Sequence, residues 1–145
     1  MKKTKKHFTI IEKFWGLEYI TIENVPLKES SSHNDVLNID LAIIEKKVAT
    51  LIVENYHIPI RGKEVKFLRK VAGLSMSKFA VFLGLSAPAI KKWEDSPYKR
   101  IGRINEVAVR ALVGELLGIN TDKKPWFSYL YSETQKAEKI ILKAS

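Results

Sequence analysis

With 145 residues the chain has room for one domain or two small ones, and a hydrophobic content of 46% is enough for a packed core. It contains no cysteine, which excludes disulfides and any Cys-ligated zinc or iron–sulfur site, and its formal charge of +9 points to an anionic partner. No apolar run approaches the ~20 residues of a membrane span. No apolar stretch with a cleavage site follows the basic start MKKTKKHF, so no signal peptide is expected and the cytoplasm is the expected compartment.

Lys2, Lys3, Lys5 and Lys6 form a basic tail, read first as a disordered solubilising end and second as an arm along DNA. Phe8 to Phe14 is rich in β-branched and aromatic residues and predicts a strand, with a turn at Trp15-Gly16. Leu17 to Val25 predicts a second strand, with Leu17, Tyr19 and Thr21 on one face and Glu18, Ile20 and Ile22 on the other. Pro26 ends it, Lys28 to Asn34 is a polar loop, and Val36 to Ile39 is a returning strand. The expectation is a small antiparallel sheet of two or three strands. Asn38 or Asp40 then caps a helix to about Asn55, with Leu41, Ile44, Val48, Leu51 and Ile52 as its buried stripe. Tyr56 to Pro59 breaks that helix and separates a first region, 1–58, from the next.

A helix is predicted from about Gly62 to Ala72, where Val65, Leu68, Val71 and Ala72 share one face, and Gly73 stops it. Ser75 caps a second helix, Met76 to Leu83, which buries Phe79, Ala80 and Leu83. Gly84 turns the chain, Leu85 anchors the turn, and Ser86 caps a third helix with Pro88 in its first turn, where the missing N–H is harmless. Ile90 and Trp93 face inward. A small residue at the crossing, a turn glycine and a branched apolar residue on the second helix are what a steep helix pair over a short turn requires, and Ala80, Gly84 and Ile90 supply them. After a loop over Asp95–Gly102, a helix from about Ile104 to Leu117 is expected to bury Ile104, Val107, Ala108, Ala111 and Leu112, with Gly118 ending it. Trp126 to Ala144 reads as a final helix. The expected regions are therefore 1–58, 59–119 and 120–145. The fold class is α+β: a small N-terminal antiparallel sheet plus helix, an all-α helix-turn-helix bundle, and a C-terminal helix.

Charge is not spread evenly. Arg61 to Arg103 carries eleven Lys/Arg against three Asp/Glu, whereas residues 1–60 balance at eight of each and residues 104–145 carry six against five. A polyanion partner explains that confinement, because each phosphate contact releases counterions. Catalytic chemistry has no comparable signal. His7, His33 and His57 are scattered, and no phosphate loop, nucleophile elbow or H-E-x-x-H is present. Glu45, Glu64 and Glu94 read as residues of solvated faces or helix ends. Neither an enzyme, a metal nor a cofactor is expected.

From Arg61 to about Ile119 the chain resembles the Xre/Cro-type DNA-binding domain. That resemblance implies that the second helix of the pair enters the major groove and that the helix after it completes the bundle and contributes to dimerisation. The segments GLEYITIENVP, IEKKVATLIVENYHIPIRGKEVKFLRKVAGLSMSKFAVFLGLS and EVAVRALVGELLG resemble, more narrowly, the MqsA-type branch of bacterial type II antitoxins. This implies an N-terminal part that inhibits a toxin, usually an mRNA-cleaving ribonuclease. It also implies a helix-turn-helix that binds operator DNA as a homodimer and represses its own operon. That branch often begins with a CxxC…CxxC zinc finger, which this chain lacks, so its sheet is held by core packing alone. Where the family commonly has Gln at the start of the second helix, this chain has Met76.

On this reading the DNA-binding residues are Ser75, Ser77, Lys78, Ser86, Ala87, Pro88, Lys91, Lys92, Lys99 and Arg100. Ala87 makes only apolar contact, as with a thymine methyl, and Lys91 donates to guanine. Lys92 and Ser86 meet phosphate. Trp15, Tyr19, Ile20 and Ile22, on or beside an edge strand at Leu17–Val25, are the candidate toxin-binding residues. The expected partners are double-stranded operator DNA, a cognate toxin and a second copy of the chain, with no membrane. The alternatives are a stand-alone Xre-family regulator and an adaptor that places its basic face on an acidic protein.

Overall fold

The structure is a computed structural model that describes residues 7–28, 36–37, 39–120 and 138–144. The chain divides into two compact units, residues 1–44 with 138–145, and residues 45–137. The division thus falls inside a helix and recruits the C-terminus to the first unit, whereas the sequence pattern placed a boundary near residue 58.

The first unit is a sheet of four strands among the described residues: β1 (His7–Glu12), β2 (Ile20–Lys28), β3 (Val36–Leu37) and β4 (Ile140–Lys143). β1 and β3 pair antiparallel with β2, and β4 pairs parallel with it, Ile20 opposite Ile140 and Glu23 opposite Lys143. A short 3-10 turn, Phe14–Gly16, connects β1 to β2, with left-handed backbone at Lys13, Trp15 and Gly16. Phe14 and Leu17 are buried and anchor this connection. Between Thr9–Val25 and Ile11–Ile22 the register shifts, so β2 holds one extra residue there. Asn24 takes the left-handed conformation at that bulge, as its short polar side chain allows.

Three expectations are corrected here. β2 begins at Ile20 and runs through Pro26 to Lys28; the proline forfeits one ladder bond, but Val25 and Leu27 on either side stay paired. β2 is the central strand, with β1 on one edge and β3 and β4 on the other, so Leu17–Val25 is not a free edge. Finally, Ile140–Lys143 is a strand and not the end of a helix, and the sheet is mixed. Consecutive isoleucines suit a pleated ladder better than a helix interior, and the Ile140 and Ala144 amides donate to Tyr19 and Glu23 carbonyls. The rest of the expected C-terminal helix, the His33 loop and the basic tail lie outside the described residues.

The helices are α1 (Leu41–Glu54), α2 (Gly62–Val71), α3 (Met76–Leu83), α4 (Ala87–Glu94) and α5 (Arg103–Leu116), so the α+β class stands. Asp40 caps α1, its Oδ1 accepting from the Ala42 amide. The buried side of α1 is Ile44, Val48, Ala49, Ile52 and Val53, while Leu41 is exposed and Leu51 half-buried. In the second unit the core is built from Val65, Phe67 and Leu68 of α2, Phe79 and Ala80 of α3, Ile90 of α4, and Val109 and Val113 of α5, with Ile58, Ile60 and Ile101 beside them.

The inner face of α5 differs from the expected one. Glu106, Val109, Arg110, Val113 and Gly114 are buried, whereas Ile104 is 76% exposed and Ala108 and Ala111 face solvent. Two charges can sit inside because each finds partners. The Glu106 carboxylate accepts from the Ile60 amide and from the Arg100 guanidinium. Arg110 donates to the Ile52, Asn55 and Ile58 carbonyls and so closes the C-terminal end of α1.

Candidate nucleic-acid interface

The helix-turn-helix is α3, Gly84 to Ser86, and α4. Ser75 Oγ accepts from the Lys78 amide at 3.2 Å and Ser86 Oγ from the Ala89 amide at 3.4 Å, so both serines serve as N-caps. Gly84 has φ 68°, a conformation that costs a glycine nothing, and it lets the Leu85 amide reach back to the Ala80 carbonyl at 2.8 Å. Pro88 lies in the first turn of α4. These local choices fix where the two helices start and stop.

What holds α4 against α2 is a buried ion pair. Arg69 donates through Nε and Nη2 to the two carboxylate oxygens of Glu94, each at 2.8 Å, and through Nη1 to the Leu74 carbonyl at 2.9 Å. The hydrogen bond to Glu94 raises the Arg69 pKa above its ordinary value, against the opposing effect of burial. Glu94, expected on a solvated face or at a helix end, is the last residue of α4, and its side chain is 4% exposed, so it is a positioning residue for α4. The N-terminus of α2 packs as closely. A Cβ on Gly62 would lie 2.0 Å from the Trp93 carbonyl oxygen, so no other residue fits. Glu64 completes a capping box with Arg61. Glu64 carried a local signal, an acid in the first turn of α2, but Arg69 and Gly62 did not, because what they meet lies far along the chain.

Ser75, Ser77, Lys78, Ser86, Pro88, Lys91, Lys92 and Lys99 are exposed, and Ala87 and Arg100 are half-buried. Lys91 Nζ lies 2.7 Å from Asp95 Oδ2, with both side chains largely in water. Such a pair is worth about 0.2–1 kcal/mol, so another anionic group can displace the carboxylate. Arg100 is different. Its Nη2 lies 2.6 Å from the wholly buried Glu106 carboxylate, which fixes the guanidinium and offsets its charge. Lys92, Lys99 and Arg100 come together with Trp93, Ser96 and Ile101 around one concavity of about 230 Å³. Trp93, expected to be buried with Ile90, is therefore half-buried at the wall of that concavity, while Ile90 is fully enclosed.

The expected toxin-binding residues fare differently. Tyr19 is 6% exposed and Ile20 and Ile22 are fully buried, so these three offer no surface to a partner. Trp15 is 43% exposed. The other large apolar side chains exposed on the strands are Phe8, Ile10 and Ile141. Among the described residues no three metal-ligating side chains come together, and no helix is long and apolar enough to cross a membrane. No family model, curated protein or solved structure matches this chain.

Proposed function

We propose that the chain is a DNA-binding antitoxin of a bacterial type II toxin–antitoxin pair, which grips operator DNA as a homodimer, represses its own operon, and neutralises a toxin through its N-terminal unit. The observation that carries the DNA half is the α3–Gly84–α4 pair, whose outer side bears Lys78, Lys91 and Lys92 within the one segment that holds nearly all the net positive charge. In this reading α4 lies in the major groove, Lys91 exchanges Asp95 for a base edge, and Lys92 and Lys99 meet phosphate. With Ala87 and Pro88 leading α4, direct readout is thin, and groove shape supplies part of the specificity.

The toxin half rests on the resemblance and on the neutral charge of residues 1–60. The surface suited to it is β1, an edge strand with Phe8 and Ile10 exposed, together with Trp15. An edge ladder flanked by apolar side chains is a recurring way to take up a protein partner. Burial of Tyr19, Ile20 and Ile22 removes the strand edge first assigned to that role, and favours as second reading a stand-alone Xre-type regulator with no toxin.

Two measurements test the proposal. Fluorescence anisotropy should show tighter binding to the duplex upstream of the chain's own reading frame than to a scrambled duplex; equal affinities contradict operator recognition. Co-expression with the product of the adjacent reading frame should restore growth and give a co-purifying complex. Operator binding without any such rescue leaves the stand-alone regulator.

A further inference from the structure

A half-open concavity follows α4. Its walls are the last turn of α4 and the loop beyond it, and that loop is pinned by its own backbone. The Ile101 amide donates to the Ile60 carbonyl, and the Gly62 and Lys63 amides donate to the Lys99 and Pro97 carbonyls, each at 3.1 Å. Of the six lining residues, three are cationic and none is acidic. Glu106, buried behind Arg100, holds that guanidinium in place. Among the described residues no carboxylate pairs with Lys92 or Lys99. Trp93 is the one aromatic residue of the lining.

Two lysines and an arginine, less one buried carboxylate, leave about two positive charges. That matches a phosphomonoester, which carries about −1.5 to −2 at pH 7, better than the single charge of a phosphodiester inside a DNA strand. The volume of about 230 Å³ lies below the range of ~300–1,000 Å³ usual for small-molecule sites. It therefore suits a ligand no larger than a mononucleotide and is too small for a dinucleotide.

We propose that this pocket binds a small aromatic phosphomonoester, of the nucleoside 5′-monophosphate class, with its phosphate among Lys92, Lys99 and Arg100 and its ring against Trp93. The site goes beyond the DNA reading and does not depend on it. If Lys92 and Lys99 also contact the DNA backbone, the free nucleotide competes with DNA for them.

Isothermal titration of the full chain, without DNA, tests this with adenosine 5′-monophosphate, adenosine and inorganic phosphate as probes. The monophosphate is expected to bind saturably at one site, and adenosine and phosphate each at least about ten-fold more weakly. Lys92→Ala/Lys99→Ala, a pair of surface changes, should weaken the monophosphate by about ten-fold or more, since a charge-assisted hydrogen bond is lost at each. Trp93→Leu should weaken the monophosphate but not inorganic phosphate. Affinity should also fall below about pH 6, as the ligand takes up its second proton. No saturable heat, adenosine binding as tightly as the monophosphate, phosphate binding equally well, or an unchanged affinity in the double lysine variant would each overturn the assignment. A failure of DNA binding in a separate assay leaves this result standing.

Discussion

At the residue scale, the helix-turn-helix depends on contacts that pair residues far apart in the chain. Arg69 and Glu94 are 25 residues apart and both nearly buried, so removing either leaves a charge without its partner. Glu94→Ala is expected to destabilise the protein by about 3–5 kcal/mol, whereas replacing both by well-packed apolar residues should cost much less than the two single changes together. Urea denaturation measures this; single changes with an unmoved midpoint would contradict the role given to the pair. Gly62→Ala should cost about 1–3 kcal/mol or more, because its methyl group would meet backbone oxygens that cannot move aside. The proposed DNA contact gives Lys91 and Lys92 different roles. Lys91→Ala should lose about 1–3 kcal/mol of preference for operator over scrambled duplex, while Lys92→Ala should weaken both duplexes about equally. Identical effects of the two changes on specificity would refute this assignment of the faces of α4.

At the element scale, α3 and α4 were legible because their signals are local. Ser75 and Ser86 cap, Gly84 turns, and Pro88 sits where a proline is tolerated, all within fourteen residues. α5 was legible as a helix but not in orientation. Its sequence offers two apolar stripes, Ile104–Val107–Ala108–Ala111 and Val109–Val113, and hydrophobicity alone favours the first. The second is buried, and the charged Glu106 and Arg110 on that face have carbonyl, amide and ion-pair partners inside. Ile104→Ser is therefore expected to change stability by no more than about 0.5 kcal/mol, as for a surface position; a loss typical of a core isoleucine would restore the other face. β4 was missed because a parallel partner more than a hundred residues away leaves no trace in local periodicity. Hydrogen exchange checks it. The Ile140 and Ala144 amides, which donate into the sheet, should be protected, and rapid exchange at both would remove β4.

At the scale of the whole molecule, charge and secondary structure divide together. The sheet unit carries exposed apolar side chains, residues 1–60 carry no net charge, and the helix-turn-helix carries the cations. Composition made that division visible before any coordinates. The sequence could not show which apolar strand residues stay exposed, because that follows from strand order: β2, the central strand, is enclosed, and Phe8 and Ile10 on the edge strand are not. The central claim is that the cations of residues 61–103 meet a polyanion. Its most direct test is the salt dependence of duplex binding by the full chain. Between about 50 and 200 mM salt the association constant is expected to fall by about 10³-fold or more, for six or more phosphate contacts. A constant that stays flat over that range would contradict DNA binding by this helix-turn-helix.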